Sequence, residues 1–230
     1  MGEIPIRKGD LKMNKTVILL SGGIDSTTLA YYLKKQGNEL YPIIFDYGQR
    51  HKKEIQVAIA SAISITGANP EVIDISNCSN IFKGSALTDN IQVPTKIYDR
   101  ETMSQTVVPN RNMIFISFAT AYAMTIHAEL VAYAAHSGDH FIYPDCRPEF
   151  AQDMNNAIQD SSEALIHLIT PFIHKSKAQI IKIGIELRVP FENTWSCYNG
   201  QELACGKCGT CVERLEAFEL NNIQDPIKYK

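Results

Sequence analysis

Ser21-Gly22-Gly23-Ile24-Asp25-Ser26 is the part of this 230-residue chain that points most directly to a fold. An apolar run at 15–21 leads into it and predicts a β-strand, and a helical pattern at 26–36 follows it. Glycine allows tight turns and lets the backbone approach a ligand closely. Backbone N–H groups at the start of a helix then converge on one point, which suits a phosphate group. We therefore predict a phosphate-binding loop between the first strand and the first helix.

The type of loop follows from the residues around the glycines. No lysine comes after them, unlike in the Walker loop, and the three spaced glycines of a dinucleotide fingerprint are missing. The stretch resembles the pyrophosphate loop (PP-loop) of the ATP pyrophosphatases, whose pattern is Ser-Gly-Gly-x-Asp-Ser/Thr. The simpler alternative is a glycine-rich turn with a serine cap and no ligand. The resemblance implies an ATP site made of Leu20, Ser21, Gly22, Gly23, Ile24, Asp25, Ser26, Thr27, Thr28, Leu29 and Ala30.

Strand and helix patterns alternate along most of the chain. Further strands are predicted at 39–47, 72–75 and 130–135, and further helices at 51–65, 112–127, 149–168, 175–187 and 212–220. Such alternation is typical of parallel β-α units. We therefore expect a doubly wound α/β domain with a mostly parallel sheet at 15–190, similar to the adenine nucleotide alpha hydrolase-like fold of PP-loop ATPases.

Three parts of the chain fall outside this alternation. Residues 1–14 mix charge, glycine and proline, and they are predicted to form an N-terminal extension without a secretory signal. Residues 78–107 have weak periodicity and are predicted to form a long excursion or a lid. Residues 191–230 contain crowded cysteines and a closing helix, and they are predicted to form a small C-terminal zinc-binding segment.

Composition limits the class of protein. Hydrophobic residues make up 45% of the chain and charged residues 20%, with a formal net charge of −3, which is ordinary for a soluble globular domain. Broad nucleic-acid binding usually needs a clearly basic balance, so no direct nucleic-acid partner is expected. The apolar helical run at 114–126 is too short to span a bilayer. We expect a cytoplasmic protein without a membrane partner.

Four of the six cysteines are crowded into one short segment, which argues for a metal rather than for a secreted disulfide scaffold. Zinc takes four thiolates tetrahedrally, and gaps of two residues let a tight turn present two sulfurs to one ion. A shell of four cysteines leaves no open position, so the ion should be structural. An iron–sulfur cluster and disulfides are the alternatives, while Cys78 and Cys146 are expected to be ordinary semi-buried thiols. The predicted zinc ligands are Cys197, Cys205, Cys208 and Cys211.

With the loop and the cysteines together, the chain resembles the 7-cyano-7-deazaguanine synthase family of the PP-loop ATP pyrophosphatases. The resemblance covers most of the chain in order, and no single motif would carry it alone. Its further motifs are 45–51 (Phe-Asp-Tyr-Gly-Gln-Arg-His), 108–112 (Val-Pro-Asn-Arg-Asn), 143–150 (Tyr-Pro-Asp-Cys-Arg-Pro-Glu-Phe), 170–171 (Thr-Pro), 177–178 (Lys-Ala) and 197–200 (Cys-Tyr-Asn-Gly). The stretch at 135–140 departs from the commonest family version. The family also usually has glycine where this chain has Asn110, and since asparagine tolerates a left-handed backbone, we expect the turn to be kept.

The resemblance implies a reaction. The family converts 7-carboxy-7-deazaguanine and ammonia into the nitrile 7-cyano-7-deazaguanine (preQ0), a precursor of queuosine in tRNA. A carboxylate is a poor electrophile because its leaving group would be oxide, so transfer of AMP from Mg-ATP activates it first. The resulting amide needs a second activation before it loses its oxygen, which favours two adenylations per product; a stoichiometry with ADP and phosphate is the alternative. A homodimer is implied by the resemblance alone.

Individual roles are hypotheses at this point. Asp25, Ser26, Arg111 and Lys177 are the candidate catalytic residues. Arginine stabilises phosphate or carboxylate charge with paired donors, and lysine offsets charge on a leaving group, whereas both would otherwise be ordinary helix residues. The candidates for binding the deazapurine edge and its carboxylate are Asp145, Arg147 and Glu149, for which a capped loop with a local ion pair is the alternative. For His51, His136 and His140 an ordinary structural role is preferred.

Two other functions remain open from the sequence. Another adenylating PP-loop enzyme, such as a tRNA-modifying thiolase or an amide-forming ligase, would share the loop. A thiolase would want exposed reactive cysteines, however, and a tRNA binder a basic face. A non-enzymatic zinc-ribbon binding module would explain the cysteine segment, but not the glycine-rich loop or the length of the chain.

Overall fold

The computed structural model describes residues 13–95, 103–199 and 202–230. The predicted extension up to residue 12 and part of the predicted lid, residues 96–102, lie outside the described residues. The strands are β1 (Lys15–Leu19), β2 (Glu39–Asp46), β3 (Glu71–Asp74), β4 (Leu130–Ala132) and β5 (His167–Ile169). The helices are α1 (Ile24–Lys35), α2 (Lys53–Thr66), α3 (Arg111–Ile126), α4 (Pro148–Ser161), α5 (Lys177–Glu186) and α6 (Gly209–Glu219).

The five strands form one parallel sheet in the order β3-β2-β1-β4-β5. This arrangement confirms the predicted doubly wound α/β class. The first strand is central, because Val17 is in register with Tyr41 of β2 on one side and with Val131 of β4 on the other. The strand order therefore reverses between β1 and β4. In open α/β sheets, a crevice for ligands forms at the carboxyl ends of the two strands that flank such a reversal.

Helices cover both faces of the sheet, as alternation of the β1 side chains requires. Ile18 packs into a core with α1, α2 and α5, and its neighbour Val17 packs into a second core with α3 and α4. Phe218 of α6 belongs to the first of these cores. The cysteine segment is thus anchored in the main hydrophobic core through its closing helix. The boundaries at residues 14 and 190 stay a prediction.

The helix predicted at 149–168 is wrong in its second half. Helix α4 ends at Ser161, and the chain turns through Glu163 and Ala164, whose φ angles of 53° and 61° are left-handed. The chain then enters β5 at the edge of the sheet. A strand of three residues is too short to produce a period of two in the sequence, so the preceding helical pattern concealed it.

Two smaller differences concern segment boundaries. Strand β4 ends at Ala132, three residues before the predicted end. The segment predicted as an excursion begins with a 3₁₀ helix at Ser76–Phe82, whose Phe82 is fully buried. The expected turn before α3 is confirmed, since Asn110 has φ 53° and ψ 25° in the left-handed region.

Candidate functional site

The predicted phosphate loop lies between the carboxyl end of β1 and the start of α1. Gly22 has a φ of 76°, and a Cβ atom there would lie 2.8 Å from the backbone nitrogen of Ala58 and 3.0 Å from the carbonyl oxygen of Glu54. Only glycine fits, because the strand-to-helix turn passes directly against α2. The loop is therefore held in one narrow path between the sheet and a neighbouring helix.

Hydroxyl groups line the inside of this loop. The Oγ of Ser26 accepts a hydrogen bond from the backbone N–H of Ser21 at 3.2 Å and lies 3.0 Å from the Oγ of Ser21. Within the described residues, the buried Oγ1 of Thr27 and Oδ1 of Asp25 have no hydrogen-bond partner. Buried polar atoms normally find partners, so two orphans at a helix N-terminus fit a ligand that brings phosphate oxygens and a cation.

A cluster of charged side chains joins the loop to three other parts of the fold. The Nζ of Lys177, at the start of α5, lies 2.7 Å from the Oδ2 of Asp25 and 3.1 Å from the Oε2 of Glu213 on α6. Burial disfavours the charged forms of both Asp25 and Lys177, the closer of the two pairs. The Lys177 ammonium nevertheless holds the pKa of Asp25 below its ordinary value, and Asp25 and Glu213 raise the pKa of Lys177. The structure thus brings Asp25 and Lys177 together, and their catalytic roles stay a prediction.

His136 connects this cluster to the loop that follows β4. The side chain is 1% exposed, and its Nδ1 accepts a hydrogen bond from the backbone N–H of Gly138 at 3.1 Å. That bond places the ring proton of the neutral imidazole on Nε2. The Nε2 lies 3.4 Å from Asp139 and 3.8 Å from Asp25. The loops after β1 and β4 therefore meet through this ring, at the reversal point of the sheet.

Arg111 lies in a second buried polar group next to the loop. Its guanidinium carbon is 5.9 Å from the ring centre of Tyr47, and burial raises the pKa of that phenol to about 12. Burial also opposes the charge of Arg111, but Tyr47 and Asp145 together raise the pKa of the guanidinium. Glu54 faces this group, and burial raises the pKa of its carboxyl while Gln49 donates a 3.1 Å hydrogen bond to it. Arg111 is therefore a half-buried charge at the site and not a surface residue.

Two of the three residues predicted to bind the deazapurine have hydrogen-bond partners within the protein. The Oδ2 of Asp145 accepts the backbone N–H of Asn112 at 2.9 Å, at the start of α3, and the Nε of Arg147 donates to the carbonyl oxygen of His140 at 2.8 Å. Glu149 is exposed in the first turn of α4. The alternative of a capped loop is thus visible for Asp145, and binding by these residues stays a prediction.

The four clustered cysteines converge, as their spacing predicts. One sulfur from each of Cys197, Cys205, Cys208 and Cys211 lies within 4.8 Å of the others. The Sγ of Cys211 lies 3.4 Å from that of Cys208 and 4.0 Å from that of Cys205, and these distances bracket the edge of about 3.8 Å that tetrahedral zinc–sulfur bonds of about 2.3 Å imply. None of the six cysteines forms a disulfide in the structure. The arrangement fits a metal ion with four sulfur ligands.

Backbone groups complete this metal-binding arrangement. The N–H groups of Asn199 and Cys205 point at the sulfur of Cys197, at 3.4 and 3.3 Å, and those of Lys207 and Cys208 point at the sulfur of Cys205. Such donors stabilise negative charge on the ligand atoms and hold them in place. The two other cysteines lie apart: Cys78 is exposed, contrary to the semi-buried position expected, and Cys146 is buried, which raises the pKa of its thiol.

A buried arginine holds the C-terminal segment together through hydrogen bonds. Nothing in the sequence indicates this role. Arg214 is 1% exposed and makes two hydrogen bonds to the carboxylate of Asp225, at 2.6 and 2.9 Å. It also donates to Thr194 and to the carbonyl oxygen of Phe191. An arginine three residues after the last cysteine offers no signal of burial, because its partner lies eleven positions further along the chain.

A cavity of about 760 Å³ opens between α1, α2 and the chain around Trp195. Thr27 of the phosphate loop lines it, but Asp25, Lys177 and Arg111 do not. The cavity therefore lies beside the charged cluster and is separate from it. In the described part of the chain, no helix combines the length and the hydropathy that crossing a membrane requires.

Residues 15–222 match the family model described as queuosine biosynthesis protein QueC. The chain belongs to the QueC family. It is 49% identical over 216 residues to 7-cyano-7-deazaguanine synthase 1 of Colwellia psychrerythraea, an alignment that covers 94% of this chain and 99% of that protein. It is 46% identical over 216 residues to the 7-cyano-7-deazaguanine synthase of Pseudoalteromonas translucida, with the same coverage of 94% and 99%. The resemblance found in the sequence is thereby confirmed.

A solved structure supports the fold independently. The structure of NMN synthetase from Francisella tularensis superposes with a TM-score of 0.55 at 16% identity, covering 93% of this chain and 79% of that one. At this level of identity the similarity concerns the fold alone.

Proposed function

We propose that this QueC-family chain is a 7-cyano-7-deazaguanine synthase, which makes preQ0 from 7-carboxy-7-deazaguanine, ammonia and ATP for queuosine biosynthesis. One observation carries the proposal. A Ser-Gly-Gly-x-Asp-Ser loop lies at the reversal point of the sheet in a chain that aligns with the synthases over 94% of its length. The enzyme class that follows is a ligase forming carbon–nitrogen bonds.

The chemistry requires two activations of oxygen. A carboxylate oxygen attacks the α-phosphorus of ATP, pyrophosphate leaves, and a mixed anhydride forms. Ammonia attacks the carbonyl carbon and AMP leaves with that oxygen, which yields the amide. The amide oxygen then attacks a second ATP in the same way, and loss of AMP and of the nitrogen-bound protons leaves the nitrile. Both carboxylate oxygens end in AMP, so atoms balance with two ATP per product.

The described residues fit these steps. The N–H groups at the start of α1 and the hydroxyls of Ser21 and Ser26 hold the phosphates, as donors at a helix N-terminus do. Lys177 offsets charge that builds on the departing pyrophosphate, and Arg111 supplies paired donors to phosphate or carboxylate. Bound Mg²⁺ would neutralise phosphate charge, and the unpartnered Oδ1 of Asp25 fits as one of its oxygen ligands.

The metal at the four cysteines is zinc in this proposal. Four sulfur ligands with no open position suit a structural ion, and the backbone donors around them suit a compact mononuclear site. Metal analysis of the purified protein should give one zinc per chain and no visible absorption. Stoichiometric iron with a visible charge-transfer band would assign an iron–sulfur cluster instead.

The partners follow from the same proposal. Its substrates are small molecules, it acts in the cytoplasm, and it needs no direct contact with nucleic acid. A homodimer is supported by exposed apolar side chains on α3, namely Met113, Phe118 and Met124. Light scattering that gives twice the chain mass would bear this out, and a monomer at working concentration would contradict it.

The decisive experiment is a product assay. Purified, metal-loaded protein is incubated with 7-carboxy-7-deazaguanine, ammonia and Mg-ATP, and the products are identified by mass spectrometry. We expect the nitrile and two AMP for each molecule of nitrile. AMP formation with other acids only would favour another adenylating enzyme. RNA binding without any ATP turnover would favour a zinc-ribbon binding module.

Ser26→Ala should depress turnover far more than stability. The change removes one hydroxyl from the loop, so kcat/KM for ATP is expected to fall about a hundredfold, as for loss of one preorganised donor. The free energy of unfolding should fall by only about 1 kcal/mol, the net value of an ordinary hydrogen bond. Ser117→Ala is the control, because the Ser117 hydroxyl bonds the Met113 carbonyl on an exposed helix face. Equal ATP kinetics in both variants would reject the role of Ser26.

A further inference from the structure

The C-terminal segment contacts the phosphate loop at one point and Lys177, the partner of Asp25 in that loop, at another. The backbone N–H of Trp195 donates to the carbonyl oxygen of Gly22 at 2.9 Å, two residues before the first clustered cysteine. Glu213 lies two residues after the last one, on the first turns of α6, and its Oε2 is 3.1 Å from the Nζ of Lys177. Both contacts therefore come from residues adjacent to the metal ligands in the chain.

Glu213 is held where it can orient Lys177. A Cβ on Gly138 would lie 2.9 Å from the Oε1 of Glu213 and 2.9 Å from the ring of His136. The loop after β4 thus passes directly over the Glu213 carboxylate, which a larger residue at position 138 would prevent. On the other side, Arg214 anchors α6 through its buried bonds to Asp225. The carboxylate is fixed between two rigid parts of the fold.

We propose that Glu213 is a positioning residue that holds the Lys177 ammonium ready for the phosphates of ATP, so that the metal-binding segment completes the phosphate site. The inference rests on the proposed function for the identity of the ligand. A lysine ammonium has three N–H donors. One is directed to Asp25 and a second to Glu213, which leaves one for a phosphate oxygen. When Asp25 turns to the cation that accompanies ATP, Glu213 keeps Lys177 in place.

Without this second carboxylate, Lys177 has Asp25 as its one strong partner. The ion pair between Asp25 and Lys177 would then have to break before Asp25 could bind the cation and Lys177 could bind the phosphates. Glu213→Gln keeps the size and a hydrogen-bonding oxygen at this position but removes the second negative charge, which shares Lys177 with Asp25. We expect the effect on Mg-ATP, because within the described residues the ion pair of Glu213 is with Lys177 and not with a candidate deazapurine residue.

The test compares Glu213→Gln with Glu216→Gln, which removes an exposed carboxylate from the same helix. We expect kcat/KM for ATP to fall about tenfold to a hundredfold in Glu213→Gln, as for a slightly misplaced catalytic group. The KM for the deazapurine acid, the metal content and the Tm should match those of Glu216→Gln. Affinity for Mg²⁺ with a non-hydrolysable ATP analogue is measured by calorimetry in parallel, and it should fall in Glu213→Gln alone.

Each outcome of this test either supports or overturns the proposed role of Glu213. Equal ATP kinetics and analogue affinity in the two variants would overturn the proposal while leaving the proposed function intact. Loss of metal or a large drop in Tm in Glu213→Gln would assign the residue to folding of the segment and would also overturn it. If the wild-type protein makes no nitrile, the proposed function fails, and analogue binding by the two variants still decides the role of Glu213.

Discussion

We expect Gly22→Ala to abolish binding of Mg-ATP and Gly37→Ala to leave it unchanged. Both glycines have positive φ angles, of 76° and 86°, so each alanine would carry a left-handed backbone strain of about 1–2 kcal/mol. The two sites differ in their surroundings. A Cβ at Gly22 would lie 2.8 Å from a backbone nitrogen of α2, while nothing lies within 4 Å of a Cβ at Gly37. The backbone of α2 cannot shift as the end of a flexible side chain can. The phosphate loop itself must therefore move to make room for the added methyl group.

Calorimetric titration with Mg-ATP and thermal unfolding of both variants check this expectation. The strain common to both should lower Tm by roughly 2–8 °C, using about 2–4 °C per kcal/mol for a chain of this size. Only Gly22→Ala should show an additional loss of ATP affinity. Wild-type affinity in Gly22→Ala would mean that this loop does not bind the phosphates.

We expect Cys208→Ser to lose both the metal ion and the affinity for ATP. Cys208 is fully buried among the four sulfur ligands. Binding of a structural metal contributes directly to folding, so we expect the free energy of unfolding to fall by about 3 kcal/mol or more. That loss corresponds to roughly 6–12 °C in Tm. Because Trp195 of this segment bonds Gly22 of the phosphate loop and Glu213 pairs with Lys177, ATP affinity should fall together with metal content.

Cys78→Ser is the matched control, since Cys78 is exposed and lies far from the cluster in sequence. It should keep the metal, the Tm and the ATP affinity of the wild type. Metal analysis, thermal unfolding and calorimetry on the two variants test the three effects separately. Full ATP affinity in metal-free Cys208→Ser would show that the segment and the phosphate site are independent.

The parts of the site that could be predicted from the sequence are those with local patterns. The turn at Gly22 requires a backbone that few residues other than glycine adopt, and the spacing from Cys205 to Cys211 suits the geometry of one ion. Alternating strands and helices then put the loop at the carboxyl end of a parallel sheet. Each of these features is encoded within about ten residues.

The rest depends on contacts between distant parts of the chain. Glu213 and Asp139 look like ordinary carboxylates in sequence, and only the packing of α6 and of the loop after β4 brings them to Lys177 and His136. The carboxylate of Asp145 accepts the N–H of Asn112, thirty-three residues away in sequence, while its role in substrate binding stays a prediction. The long-range partner of a polar side chain has no local signature, so these assignments required the structure.

The central claim is that the loop holds ATP so that oxygens of the substrate attack its α-phosphorus. Acid labelled with oxygen-18 at both carboxylate positions tests it most directly, with unlabelled acid as control. After turnover with ammonia and Mg-ATP, mass spectrometry should find one labelled oxygen in each AMP, two labelled AMP per nitrile, and none in inorganic phosphate. Label in inorganic phosphate, or nitrile formed with unlabelled AMP, would contradict the claim.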